Sequence, residues 1–394
     1  MRLLFKTLKD ELMILKDSHL FRYLNRVDSE QSSRITIGGR EYISLCSNNY
    51  LGLATHTGLK ESSMEAIKNY GNSAVASRLV SGNMELHERL EEVTAEFKRT
   101  EAALVFNTGY MANAGTLQAL ANEQDVLFSD ALNHASIIDG CRLSGAKVFV
   151  YRHRDVDHLR LLLSMAAGSG YRRRVVITDG VFSMDGDIAP LPDIDRVAEE
   201  HDAFLIVDDA HATGVLGKTG KGSLEFFGLT RRDIIQMGTY SKALGSFGAY
   251  IAGPAEVRDY LINKARAFIY TTALPPSVIA ASIAAIRILQ EDHEMLSRLW
   301  HNTILFREGL MGLGFNTLNS ETPIIPVLIG AVEGVLRFSK RLFEEGIYAV
   351  PIRPPTVPEG GCRIRTTVTA AHAESDIEFC LRVFEKVGKE LRVI

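Results

Sequence analysis

Two short apolar runs, each ending in reactive side chains, constrain this chain more than any other feature. The first, Phe204-Leu205-Ile206-Val207, stops at Asp208-Asp209-Ala210-His211. The second, Asp233 through Gly238, delivers Thr239-Tyr240-Ser241-Lys242. Short β-type runs that break off at polar residues predict neighbouring strands of a parallel sheet, with their carboxyl ends directed at one site. An acid, an imidazole, a hydroxyl and an amine would meet there.

The flanking sequence repeats the same grammar. Strands are expected over Ala102–Phe106, Asp125–Ser129, Lys147–Tyr151, Arg174–Thr178 and Ala249–Ala252, most of them followed by helical patterns. That order predicts an α/β sheet of mostly parallel strands. After the first of these strands, Thr108-Gly109-Tyr110 opens a helix, where unpaired N–H groups and a glycine would let an anion approach the backbone. His134 and Ser183 stand just beyond two further strand ends. An amine, an acid and an anion cradle at one sheet edge suit pyridoxal phosphate (PLP), whose aldehyde forms a Schiff base with a lysine amine.

A chain of 394 residues exceeds one simple core. We expect an N-terminal helix and hairpin segment over residues 1–50, a large domain over 51–285 and a small α+β domain over 286–394, entered by one long helix from Val278 to about Gly312. The net charge of −4 gives no electrostatic reason to propose nucleic acid or membrane as a partner. The four cysteines lack C-x-x-C spacing, which predicts free thiols, no metal site and a cytoplasmic protein. The N-terminal stretch reads as an amphipathic helix, since Lys6, Lys9 and Asp10 interrupt its apolar residues.

Six segments spread over nearly the whole chain resemble the α-oxoamine synthases, PLP enzymes of the aspartate-aminotransferase fold, fold type I. They are SNNYLGL (Ser47–Leu53), LNHASI (Leu132–Ile137), TDGVFSMDGD (Thr178–Asp187), VDDAHATG (Val207–Gly214), GTYSKAL (Gly238–Leu244) and RIRTTVTAAH (Arg363–His372). Their shared order is more specific than any one motif. The resemblance implies an α/β large domain with a mostly parallel seven-stranded sheet and a small C-terminal α+β domain.

It also implies roles. Lys242 would bind PLP covalently and later remove the α-proton. Asp208 would face the ring nitrogen; Asp209 is the alternative by sequence alone, and the family's Asp-x-x-His spacing selects Asp208. His211 and Ser183 are expected near the phenolic oxygen, His134 over the ring, and Gly109, Tyr110 and Thr239 at the phosphate. Thr271 or Thr272 would reach the phosphate of a second subunit in a homodimer with interface active sites. Arg363 and Arg365 share a strand face, and the family pattern points to Arg365 for the substrate carboxylate, with Arg22, Asn48 and Thr356 as further substrate contacts. The implied reaction is decarboxylating condensation of an amino acid, alanine, with a pimeloyl thioester of CoA or acyl carrier protein; glycine with acetyl-CoA is the alternative. Two departures stand out: the Asn72–Arg78 loop is poor in glycine, and Asp179 replaces the glutamate of many relatives.

Overall fold

The computed structural model describes residues 3–394. It resolves into two compact units: Asn48–Ser183 with Asp187–Leu299, and residues up to Ser47 with Met184–Gly186 and Trp300–Ile394.

The larger unit is built on a seven-stranded sheet in the order Ala102–Phe106, Ala249–Gly253, Ile235–Thr239, Phe204–Asp208, Arg174–Asp179, Val126–Asp130, Lys147–Tyr151. Only Ala249–Gly253 runs against its neighbours. Strands sandwiched between helices must be apolar on both faces, and Phe204–Asp208 shows why its run is continuous. Ile206 joins Ile177, Ile235, Met237 and Leu117 on one face, whereas Leu205 and Val207 join Val176, Phe128 and Ile194 on the other. Period-two alternation therefore places Asp208, like Ile206, on the face covered by the helix Gly109–Leu120, and Thr239 follows Met237 onto that face.

In the smaller unit, the expected hairpin forms from Arg34–Ile37 and Arg40–Ser44, turning at Gly38 and Gly39 with φ of 57° and 79°. Residues 1–50 and 286–394 were expected as separate segments; here Ile347–Tyr348 pairs in parallel with Arg40–Ser44, and one core holds Ile43 and Leu45 with Phe306, Phe338, Ile364 and Phe384. Arg363 and Arg365 lie on the strand Cys362–Thr367, between Ile324–Gly330 and Val350–Ile352.

The single long helix from Val278 is corrected to two, Pro276–Glu291 and Glu294–Gly312. Asp292 breaks it, because its carboxylate accepts the N–H of Glu294 at 2.9 Å and starts a new helix. The N-terminal helix, Leu3–Asp17, buries none of its residues. No helix among the described residues is long and apolar enough to cross a membrane.

Candidate active site

Two acids and a hydroxyl stand at adjacent strand ends because parallel strands all finish at the same sheet edge. Asp179 and Asp208 are register partners, and Asp208 pairs with Met237, two residues before Thr239. Asp208 is buried, and its Oδ2 accepts from Asn113 Nδ2 at 2.7 Å while Oδ1 accepts the Ala210 N–H at 2.9 Å. Burial raises its pKa, opposed first by the charge of Lys242 and then by these two donors. Asp179 is pushed up further, by burial and then by the charge of Asp208, although the His134 N–H donates to it at 2.7 Å. Two buried carboxylates side by side cannot both ionise cheaply, so each opposes the charge of the other. The shorter acid at position 179 is thus accommodated by a backbone donor from the His134 turn.

His134 caps the helix Ala135–Ser144 through Nδ1, which accepts from Ser136 N at 3.2 Å and lies 2.8 Å from Ser136 Oγ. Asn113 donates to the same Oγ at 2.9 Å, so the hydroxyl donates its own hydrogen bond to Nδ1. His134 is therefore neutral with its proton on Nε2. Lost hydration lowers its pKa, and Lys242 adds to this while Asp208 opposes it. Lys242 itself is half-buried and follows the strand Ile235–Thr239 by three residues. Its charge bears on Asp208, Asp179 and His134 together. His211, also buried, lies 2.7 Å through Nδ1 from the hydroxyl of Tyr50, and Ser183 is half-buried beyond the Arg174–Asp179 strand.

The anion cradle is tested by one side chain. Thr239 is 4% exposed, yet its Oγ1 has no hydrogen-bond partner among the described residues. A Cβ on Gly109 would stand 3.0 Å from Thr239 Cγ2, so the missing side chain is what brings the helix start against Thr239. Thr108 caps that helix by accepting from Met111 N at 3.1 Å, leaving the Gly109 and Tyr110 N–H groups without intrahelical acceptors. An orphaned hydroxyl beside a helix N-terminus fits a phosphate. Tyr110 is exposed, and its own hydroxyl donates to Asp139. Thr271 and Thr272 are tied to the same turn, since Asn107 Nδ2 donates to Thr271 Oγ1 at 3.3 Å and to the Thr272 carbonyl at 2.7 Å.

In the smaller unit, Arg363 is committed to the Asp185 carboxylate and, at 2.9 Å, to the Gly361 carbonyl. Arg365 Nη1 donates to Thr367 Oγ1 at 3.0 Å. Arg22 and Thr356 are exposed, and Arg22 lies close enough to Arg353 for its charge to lower that residue's pKa, behind the larger effect of burial. Asn48, in the larger unit, is half-buried. The glycine-poor loop is held by Arg78, which forks onto Glu91 at 2.8 and 3.0 Å.

Sequence reasoning missed Asn113, Tyr50 and Lys98. A polar residue inside the helix Gly109–Leu120 carries no periodic signal, and Tyr50 read as part of a turn. Lys98 settles which acid of the Asp208-Asp209 pair is available. Lys98 and Asp209 are fully buried side chains 3.1 Å apart, and Ser223 gives Asp209 two more bonds. Asp209 is thus spent on structure, and Asp208 is the acid that faces the site.

The class I and II aminotransferase family model matches residues 40–384. The chain is 51% identical to 8-amino-7-oxononanoate synthase of Geobacter sulfurreducens over 99% of its own length and 100% of that protein. A serine palmitoyltransferase from S. paucimobilis with a bound PLP–myriocin aldimine superposes with a TM-score of 0.94 at 32% identity, covering 100% of both chains. An 8-amino-7-oxononanoate synthase from Francisella tularensis gives 0.76 at 29% identity, over 90% of this chain and 99% of that one. Full-length identity, a shared sheet and a lysine among carboxylates lead to one conclusion: the chain belongs to the class I and II aminotransferase family, as a PLP-dependent α-oxoamine synthase.

Proposed function

We propose that this enzyme condenses L-alanine with a pimeloyl thioester, releasing carbon dioxide and the thiol and forming 8-amino-7-oxononanoate, a step of biotin synthesis. The observation that carries the site reading is the buried, unpartnered Thr239 hydroxyl against the helix start at Gly109, at the end of the strand that leads to Lys242. Full-length identity to synthases of that name supports the substrates.

When bound, PLP supplies the electron sink for the carbon from which a proton is lost. The chain does the rest. Lys242 would hold the cofactor, and its free Nζ would take the α-proton of the amino acid. Asp208, which accepts from Asn113 and the Ala210 N–H, would hold a proton on the ring nitrogen. Neutral His134 would lie against the ring, and His211 and Ser183 would orient the phenolic oxygen. The Gly109 and Tyr110 N–H groups and Thr239 Oγ1 bind the phosphate. Thr271 or Thr272 completes the phosphate site of a second copy in a homodimer. Arg365 forks onto the substrate carboxylate, and Arg22, Asn48 and Thr356 shape the acyl side. The enzyme works in the cytoplasm, a placement supported by its four free cysteines.

The decisive assay pairs alanine or glycine with pimeloyl, acetyl, succinyl and palmitoyl thioesters, with products read by mass. Alanine with pimeloyl thioester should be turned over best; preference for glycine with acetyl-CoA would replace the proposal with an acetyltransferase. In the same assay, Arg365→Lys should raise KM for the amino acid roughly 10- to 100-fold, because lysine cannot reproduce a bidentate, charge-assisted pair. KM for the thioester should hold steady, and an unchanged amino-acid KM would remove Arg365 from that role.

A further inference from the structure

His153 lies outside the cofactor constellation, in the turn after the Lys147–Tyr151 strand, yet both of its ring nitrogens are occupied by acids. Nδ1 lies 2.9 Å from Asp130 Oδ1 and Nε2 lies 2.8 Å from Asp187 Oδ2. Carboxylates only accept, so a ring that meets two of them must donate from both nitrogens and is an imidazolium. The edge of that ring meets Phe182 at 4.4 Å between centroids and 89°.

Each acid anchors a turn that ends in a proposed cofactor contact. Asp130 accepts the Leu132 N–H at 2.8 Å and the Arg154 N–H at 2.9 Å, shaping the 130–134 turn that carries His134. The Asp187 carbonyl accepts the Phe182 N–H at 3.0 Å, closing the 182–187 turn that starts with Phe182 and Ser183. Asp187 Oδ1 is buried with no partner among the described residues, so the charge of this acid is answered at Oδ2, by His153 and, at 3.1 Å, Arg154.

We infer that His153 is a positioning residue: a cationic clamp that ties the His134 turn to the Ser183 turn and so sets the spacing of two groups that meet the cofactor. The inference rests on the reading that His134 and Ser183 contact PLP. The groups facing the ring are Asp130 from the end of its strand, Asp187 from the opposite turn and Arg154 beside it. Burial works against the charged ring, but the bonds to Asp130 and Asp187 outweigh it and raise the pKa to about 9.

The test begins with the unmodified holoenzyme. Nitrogen-15 NMR of the His153 ring should show both nitrogens protonated at pH 7.5, with loss of a proton only near pH 9; a neutral ring at pH 7.5 overturns the clamp. His153→Gln should weaken PLP binding roughly tenfold and shift the absorption maximum of the bound cofactor, as disturbed supporting contacts do. His153→Arg, a permanent cation with several donors, should recover both. Parent-like PLP affinity and spectrum in His153→Gln, with only a lower melting temperature, would reduce His153 to a structural part. Should His153→Gln fail to fold, His153→Arg decides: a spectrum as altered as that of His134→Ala would overturn the inference. His134→Ala separates the two levels, because an unchanged spectrum there refutes the underlying cofactor reading, whereas a changed one beside an unchanged His153→Gln refutes the clamp alone.

Discussion

Lys242→Ala is expected to abolish covalent capture of PLP and to lower turnover on the order of 10⁴-fold or more, since it removes the nucleophile and the general base together. Borohydride reduction followed by intact mass should show the cofactor fixed to the parent protein and absent from the variant. Retention of a reducible chromophore would sink the assignment. The substitution has a second consequence within the carboxylate pair. The charge of Lys242 opposes the rise in pKa of both Asp208 and Asp179. Without it both carboxylates ionise less readily, so the variant should bind the cofactor more weakly even without a covalent bond.

The largest stability effect is expected from Lys98→Met. Its side chain and that of Asp209 have no exposed surface, and the Lys98 ammonium also donates to the Lys221 carbonyl. Burial disfavours the charge on Lys98, yet Tyr250 and Asp209 outweigh it and raise the pKa. Removing one partner leaves the other charge buried and uncompensated, which costs about 3–5 kcal/mol. Packing around Asp209 offers no relief, because Gly222, at a φ of 107°, already brings its backbone against that carboxylate. Guanidinium unfolding followed by circular dichroism should show the loss, and adding Asp209→Asn to Lys98→Met should recover part of it, since the two positions interact directly. Equal stability of Lys98→Met and the parent would mean that Asp209 is neutral and that the pair is not ionic.

These two lysines show where the chain could be read and where it could not. The strand leading to Lys242 was legible, because an apolar run that stops at polar residues predicts both a strand and its direction, whereas the role of Lys242 came from the family resemblance. The same holds for the strands that lead to Asp208 and Thr239 and for the helix start at Gly109. The strand limits moved by a residue or two, and Asp292 divided one expected helix, because capping is decided by a single side-chain bond. Lys98 ends the charged helix Glu85–Lys98. Nothing near it in sequence indicates Asp209, 111 residues away.

What the amino-acid order determined by itself was the alternation of strands and helices, the sheet edge where reactive groups gather, and the class of cofactor they suit. These depend on periodicity and on short motifs, which act over a few residues. Tertiary structure alone showed that Asp209 is held by Lys98, that Arg363 is tied to Asp185, and how Asn113 and Ser136 keep His134 neutral. Each of those outcomes depends on a partner distant in sequence, and a buried charge or hydroxyl takes its protonation state from the groups that fold around it.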